Sequence, residues 1–125
     1  DNAIAIAPNE PIDFPTTATK TSDITVTSPS VFTVTTAGNY LVMFQASTTE
    51  GGQLQLTVNN TPIAYTTVGK AGENTQIVGF AILPLAANDA ISVINPQAST
   101  TGITLTQNAG GASAVAAQLV IAKLA

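Results

Sequence analysis

The stretch that decides the fold is NYLVMFQAST, residues 39–48, because its alternate positions are apolar on both sides of an extended chain. Successive side chains of a β-strand point to opposite faces of the sheet. The two apolar sets are Tyr40, Val42 and Phe44 on one face, and Leu41 and Met43 on the other. A strand with one solvent-exposed face would instead alternate apolar and polar residues. Residues 39–48 are therefore predicted to form a strand that is covered on both faces.

Two further segments, 75–85 and 114–124, have the same two-sided pattern. The opposing sets in the first are Ile77, Leu83 and Leu85 against Val78, Phe80 and Ile82. The opposing sets in the second are Val120 and Leu124 against Leu119 and Ile121. By contrast, residues 53–58 place Leu54, Leu56 and Val58 opposite Gln53, Gln55 and Thr57. The polar side of that segment is predicted to face water.

The rest of the chain consists of short segments rich in Thr and Val, separated by Gly, Pro, Asn or Asp about every 8 to 12 residues. The predicted strands are 3–7, 12–14, 22–27, 31–36, 39–48, 53–58, 61–68, 75–85, 90–95, 101–106 and 114–124. No long helix is predicted. Residues 109–117 are rich in Ala, but Gly110-Gly111 and the following Leu119-Val120-Ile121 favour a strand. A short helical turn in this segment is the alternative. Residues 1–125 are therefore predicted to form one all-β domain built from two antiparallel sheets.

An isolated sandwich of two sheets cannot cover the outer sides of the three two-faced strands. The side chains that we expect on that uncovered surface are Leu41, Met43, Val78, Phe80, Ile82, Leu119 and Ile121. Leaving them in water would forfeit roughly 1.5–3 kcal/mol for each large side chain and would expose a contiguous apolar patch. Since the chain has no helix to place there, the pattern predicts that another copy of the chain covers this surface.

Composition narrows the classes of function. Hydrophobic residues make up 45% of the chain and charged residues only 8%, compared with about 25% charged in an average soluble protein. The net charge is −4 and the only basic residues are three lysines, so no basic stripe exists for nucleic acid or for an anionic membrane surface. The longest apolar stretch, 77–87, falls short of the ~20 residues that span a bilayer. Neither nucleic-acid binding nor membrane insertion is predicted.

No catalytic, cofactor or metal site is predicted. The chain has no His and no Cys, so the commonest general base and the strongest common nucleophile are missing. Glu10 and Asp13 lie in a Pro-bounded segment, where a solvated role is expected, and Glu50 and Glu73 lie in Gly-rich turns, where acidic residues are common. No Asp-x-Asp-x-Asp run is present, and Asn88-Asp89 is interpreted as a turn, which leaves a surface cation as an open alternative.

Asn59-Asn60-Thr61 matches the acceptor pattern for N-glycosylation. The alternative interpretation, which we prefer, is a tight hairpin turn, because Asn accepts the positive φ angles that such turns require. Carbohydrate binding usually needs exposed aromatic rings. Trp is absent and Tyr40 is predicted to be buried, which leaves Tyr65 as the candidate.

Several motifs, in order, resemble known families. FTVTTAGNYLV at residues 32–42, a Phe-x-Val strand followed by Gly-x-Tyr, resembles the signature of the tumour-necrosis-factor and complement-head jelly rolls. EPIDF at 10–14, GGQLQLTVN at 51–59 and the terminal strand 114–124 resemble the C-terminal domain of BclA-type collagen-like glycoproteins of the bacterial spore exosporium. The resemblance covers most of the chain.

This resemblance implies a TNF-like antiparallel jelly-roll sandwich that assembles as a homotrimer, with its inner sheet about the threefold axis. That sheet corresponds to strands 39–48, 75–85 and 114–124, so the seven side chains listed above for the uncovered surface become the predicted trimer interface. In the family the domain caps a Gly-X-Y collagen stalk and aligns its chains. A stalk would have to precede Asp1, and the start at Asp1 suggests a piece of a longer protein.

The function expected from the resemblance is a non-catalytic, adhesive head on a spore exosporium or cell-surface filament. Its partners would be two further copies of itself and a host-surface protein or glycan. The alternative is a receptor-binding module of a phage fibre or bacterial adhesin that recognises a glycan or protein, since such proteins use similar heads. A Gly-X-Y tract upstream of Asp1 would favour the filament, and a neighbourhood of phage structural genes would favour the alternative.

Overall fold

The computed structural model describes residues 5–99, 101–111 and 115–125. These residues form nine strands and one turn of 3-10 helix, at Ala64–Thr66. The strands are β1 Ile24–Ser28, β2 Val31–Val34, β3 Gly38–Thr48, β4 Gly52–Val58, β5 Thr61–Pro62, β6 Val68–Lys70, β7 Thr75–Leu85, β8 Ala90–Ile94 and β9 Ala117–Lys123.

The strands pair in two antiparallel sheets. The large sheet has the order β1-β2-β8-β4-β5, and β6 also pairs with β4. The small sheet has the order β7-β3-β9. Its central strand, β3, pairs with β7 along all 11 of its residues and with β9 from Tyr40 to Ala46. The predicted all-β architecture of two antiparallel sheets is confirmed, and the three two-faced segments of the sequence are the three strands of the small sheet.

The core lies between the two sheets and is built from one face of each. The small sheet contributes the Tyr40 side of β3, and the large sheet contributes mainly β4 and β8. The largest fully buried side chains of these strands are Tyr40, Val42, Phe44, Leu54, Leu56, Ile91 and Val93. From Tyr40 to Ala46 of β3 the buried side chains occupy alternate positions, because an extended chain alternates its side chains with a period of two. In β8 nearly every residue is buried. Tyr40 is buried, as predicted.

The outer face of β4 differs from the prediction. Gln55 and Thr57 were expected to face water, and both are buried. The turn after β5 folds back beside β4, where the Gln55 amide donates to the Thr67 hydroxyl at 2.8 Å and the Leu56 N–H donates to the Thr66 hydroxyl at 2.9 Å. The predicted strand 61–68 is consequently wrong as one element, because the 3-10 turn divides it into β5 and β6. Polar alternation alone could not show that a local loop covers these side chains.

The predicted strands 3–7, 12–14 and 101–106 are also wrong as regular strands. Within the described residues, 3–7 and 101–106 make only single bridges, Ile6 with Ile103 and Thr48 with Leu105, and 12–14 makes none. Parts of three predictions lie outside the described residues: residues 3 and 4 of the first strand, 112–114 of the alternative helical turn, and 114 of the last strand. Proline nitrogens cannot donate to a ladder, and several prolines interrupt the N-terminal segment. Asn95 joins these segments instead, since its buried amide donates to the carbonyls of Ile6 and Thr101.

The predicted hairpin turn at Asn59-Asn60 is confirmed. Both residues have positive φ angles, 51° and 65°, as a two-residue turn between twisted strands requires. Asn88 has a φ of 73° in the turn between β7 and β8, also as predicted. The Asn59 amide donates to the Asp89 carboxylate at 2.9 Å, and its carbonyl oxygen accepts from the Ala90 N–H at 2.9 Å. Two turns that are distant in sequence are thus held together.

Candidate functional site

The candidate site is the outer face of the small sheet, because it carries large apolar side chains and no other element of the described chain covers it. Residues that oppose one another in an antiparallel pair share a face. Met43 opposes Phe80 on β7 and Val120 on β9, and Leu41 opposes Ile82. We call this surface the apolar face and define it by Leu41, Met43, Val78, Phe80, Ile82 and Val120.

The apolar face is open to solvent in the single chain. The exposed fractions are 41% for Met43, 51% for Val78, 71% for Phe80, 58% for Ile82 and 51% for Val120. On the opposite side of β3, the side chains from Tyr40 to Ala46 are no more than 2% exposed. Contiguous exposed apolar surface of this kind marks an interaction site in soluble proteins. The structure therefore brings together five of the seven side chains that the sequence placed on this surface, namely Leu41, Met43, Val78, Phe80 and Ile82.

The placement of Leu119 and Ile121 on this face is wrong. Leu119 opposes Phe44 and Ile121 opposes Val42, so both point inwards and pack against the core. Val120, which has the other parity, takes the position on the apolar face. Both sets of alternate residues in β9 are apolar, so the sequence of β9 does not distinguish them. Only the register of β9 against β3 decides which set faces outwards.

Gly79 explains how β7 packs at the level of Phe44. It lies opposite Phe44 on the inward side of the small sheet and is buried. A side-chain carbon at Gly79 would collide with the Phe44 ring and would approach Val68 to 2.9 Å. The missing side chain therefore leaves room for the Phe44 ring between the sheets. The neighbouring Val78 and Phe80 then project outwards onto the apolar face.

The Gly-x-Tyr motif holds the start of β3 against the chain's end. A side-chain carbon at Gly38 would lie 2.5 Å from the carbonyl oxygen of Ala125. The Asn39 N–H donates to that oxygen at 2.9 Å, and the Leu124 N–H donates to the Asn39 carbonyl at 2.7 Å. Only glycine allows this close approach without displacing the backbone.

The Tyr40 hydroxyl completes the same corner. It donates to the Thr36 carbonyl at 2.6 Å. Burial raises the pKa of the Tyr40 hydroxyl, and the nearby charge of Asp23 raises it further. The neutral phenol is therefore the form that the fold prefers. Tyr65, the other tyrosine, is 72% exposed on the 3-10 turn.

A row of three amides borders the apolar face at one end. The Gln76 Nε2 donates to Gln45 Oε1 at 2.8 Å, and the Gln45 Nε2 donates to Gln118 Oε1 at 3.0 Å. Each of the three strands of the small sheet supplies one member. We call this set the glutamine row. Sequence reasoning missed it, although Gln45, Gln76 and Gln118 occupy the outward parity of their strands once the register is known.

Two of the carboxylates considered in the sequence make hydrogen bonds that hold the fold. Glu50 accepts from the Thr104 N–H at 2.6 Å and from the Thr104 hydroxyl at 3.1 Å, which joins segments 54 residues apart. Asp89 accepts from the Ala86 N–H at 2.8 Å within its turn. Across residues 5–99, 101–111 and 115–125, no group of three or more His, Cys, Asp or Glu side chains is placed to hold a metal ion.

Among those same residues, no helix has the length and apolar character needed to cross a membrane.

Solved structures with the same arrangement include a complement head domain and two GITRL proteins. The globular domain of zebrafish complement 1qA protein aligns with a TM-score of 0.67 and 16% identity, covering 97% of this chain and 87% of that chain. The bushbaby GITRL structure aligns at 0.57 and 18% identity, covering 86% and 81%, and rabbit GITRL at 0.56 and 19%, covering 83% and 78%. At these identities the likeness shows a shared jelly-roll fold.

Sequence comparison gives the family. No curated protein matches the chain significantly. The family model described as the BclA C-terminal domain matches residues 1–125. That match confirms the resemblance read from the Gly-x-Tyr segment and the flanking motifs. The chain therefore belongs to the BclA C-terminal domain family.

Proposed function

We propose that this chain is the trimeric head domain of a collagen-like surface filament, in which the apolar face of each copy is covered by the other two copies. The observation that carries the proposal is the exposed apolar face itself. Phe80 is the most exposed of its members, and it lies beside Met43 in the middle of the small sheet. A contiguous exposed apolar surface of this kind marks a site of association with another molecule.

A second copy of the chain suits this face better than a charged partner. The face carries no charged side chain, and only 8% of the whole chain is charged. Each copy brings the same apolar face, so rotation about one axis brings the faces of all copies together. Covering the remaining exposed area of Met43, Val78, Phe80, Ile82 and Val120 stabilises the assembly by about 1 kcal/mol for each side chain.

The family supports three copies in the assembly. Members of the family cap collagen stalks, and a collagen triple helix contains three chains. A head that trimerises brings three stalk chains together at one end and sets their alignment. The predicted trimer interface is thus retained for Leu41, Met43, Val78, Phe80 and Ile82, and Val120 replaces Leu119 and Ile121.

The outer face of the large sheet would then form the exterior of the filament head. Its exposed positions include Thr25, Thr27 and Gln53, and the Thr27 and Thr33 hydroxyls are hydrogen-bonded at 2.8 Å. These hydroxyl and amide groups make a neutral polar surface. We assign to it the adhesive role on the exosporium or cell surface, towards a host-surface protein or glycan. No turnover chemistry is included in the proposal, since the chain has neither His nor Cys.

Light scattering with size-exclusion chromatography tests the assembly. At micromolar concentration we expect a mass about three times the 12.6 kDa of one chain. A mass of one chain under these conditions would refute the proposed function. For the parent protein, a Gly-X-Y tract encoded before Asp1 would support the filament. If the gene instead lies among phage structural genes and encodes no such tract, the receptor-binding module would be supported.

A further inference from the structure

The glutamine row spans the whole width of the small sheet at the polar border of the apolar face. Gln118 on β9 lies directly opposite Gln45 on β3, and Gln76 on β7 lies one diagonal step away. Gln76 and Gln118 are exposed, and Gln45 between them is half-buried. The row is therefore continuous with the surface that we propose to be buried between copies.

The hydrogen bonds of the row have a direction. A glutamine amide carries a donor group and an acceptor oxygen. Gln76 donates to Gln45, and Gln45 donates to Gln118. Within the described residues, neither Gln76 Oε1 nor Gln118 Nε2 makes a hydrogen bond. The row thus presents an acceptor at the β7 edge and a donor at the β9 edge. Rotating all three amides reverses the direction and again leaves a donor at one edge and an acceptor at the other.

The geometry of a cyclic trimer places these two edges together. In a cyclic assembly each contact joins unlike surfaces of neighbouring copies. β7 and β9 are the two edges of the small sheet. When three small sheets face one axis, each copy turns β7 towards one neighbour and β9 towards the other. The Gln76 end of one copy's row is then turned towards the Gln118 end of the next copy's row.

We propose that the glutamine row closes into a ring of nine hydrogen-bonded glutamines and thereby sets the register between the three copies. This inference rests on the proposed trimer. Apolar contact is non-directional, so the apolar face alone allows the copies to slide or rotate against one another. Hydrogen bonds are directional, and a misaligned trimer would bury amide groups without partners. A single buried polar position fixes register in coiled coils for the same reason.

The chain contains no cysteine, which allows a direct test by cross-linking. We would prepare Gln76→Cys and Gln118→Cys separately, refold them alone and as a mixture, and treat each sample with a bismaleimide that has a short spacer. Each copy then carries one thiol, so a link within one copy is impossible. We expect covalent dimers in the mixture and little cross-linking in either variant alone, because the ring brings position 76 next to position 118 of another copy.

A charge-pair experiment provides a second measurement on intact folded protein. Gln76→Glu and Gln118→Lys should each raise the concentration at which the trimer half-dissociates by about ten-fold. The double variant should recover most of that loss, because the introduced carboxylate meets the introduced ammonium of the next copy. Gln53→Glu, on the outer face of the large sheet, is the control and should leave the midpoint unchanged.

The outcomes separate the ring from the trimer. The ring would be overturned, and the trimer left intact, by three results together. The wild-type protein is trimeric, the mixture of cysteine variants cross-links no better than either variant alone, and the charge-pair double variant recovers none of the lost stability. Cross-linking in the mixture, or recovery in the double variant, supports the ring. A monomeric wild-type protein would remove the proposed function and the ring with it.

Discussion

Replacement of Phe80 by aspartate is the most informative perturbation of the apolar face. Phe80 is 71% exposed in the single chain, so Phe80→Asp should cost the isolated fold little. In the proposed trimer, about two thirds of the ring area would be removed from water at three positions. At roughly 1.5–3 kcal/mol for a fully buried side chain, the loss is about 3–6 kcal/mol per trimer. Burial of three carboxylates near one axis adds a desolvation cost.

The loss corresponds to at least two orders of magnitude in the equilibrium constant, since each 1.4 kcal/mol is about ten-fold. We would measure mass by light scattering and the melting temperature by circular dichroism at matched concentrations. Phe80→Asp should be largely monomeric, with retained β-sheet signal. Thr25→Asp is the matched control, because Thr25 is exposed on β1, away from the apolar face. A trimeric Phe80→Asp with the wild-type melting temperature would refute the assignment of this face to the interface.

Three further predictions test the packing around the site. Val120→Ser should weaken the trimer with little effect on the monomer. Ile121→Ser should instead lower the free energy of unfolding by roughly 1–3 kcal/mol, because only Ile121 packs inwards. Equal effects of the two variants in urea titrations would contradict the register of β9. Gly79→Ala should destabilise the fold by about 1–3 kcal/mol through collision with Phe44, measured by urea unfolding, and a neutral effect would disagree with the packing. Tyr40 has its pKa raised in the folded state, so its contribution is complete below pH about 10 and is lost as pH rises through the folded pKa. Tyr40→Phe should therefore reduce the alkaline fall in melting temperature, and an unchanged pH profile would contradict that role.

Features that depend on neighbouring residues in the chain could be predicted from the sequence. The two-sided apolar pattern of 39–48 and 75–85 identified strands that need cover on both faces, because a strand alternates its side chains with a period of two. The Asn59-Asn60 turn could be predicted for a similar reason, since the preference of Asn for positive φ is a property of the residue itself. The surface formed by Met43, Phe80 and Ile82 followed from the same alternation.

Features that depend on pairing between distant segments were decided only by the tertiary structure. Both parities of β9 are apolar, and its register against β3 chose Val120 rather than Ile121 for the outer face. The glutamine row joins residues 31 and 73 positions apart. Gln55 is buried, and its amide donates to Thr67 in a turn that folds back beside β4. Alternation fixes which residues of one strand share a face. Which face meets the core, and what lies across from it, is set by hydrogen-bonded register and packing between segments that local sequence does not relate.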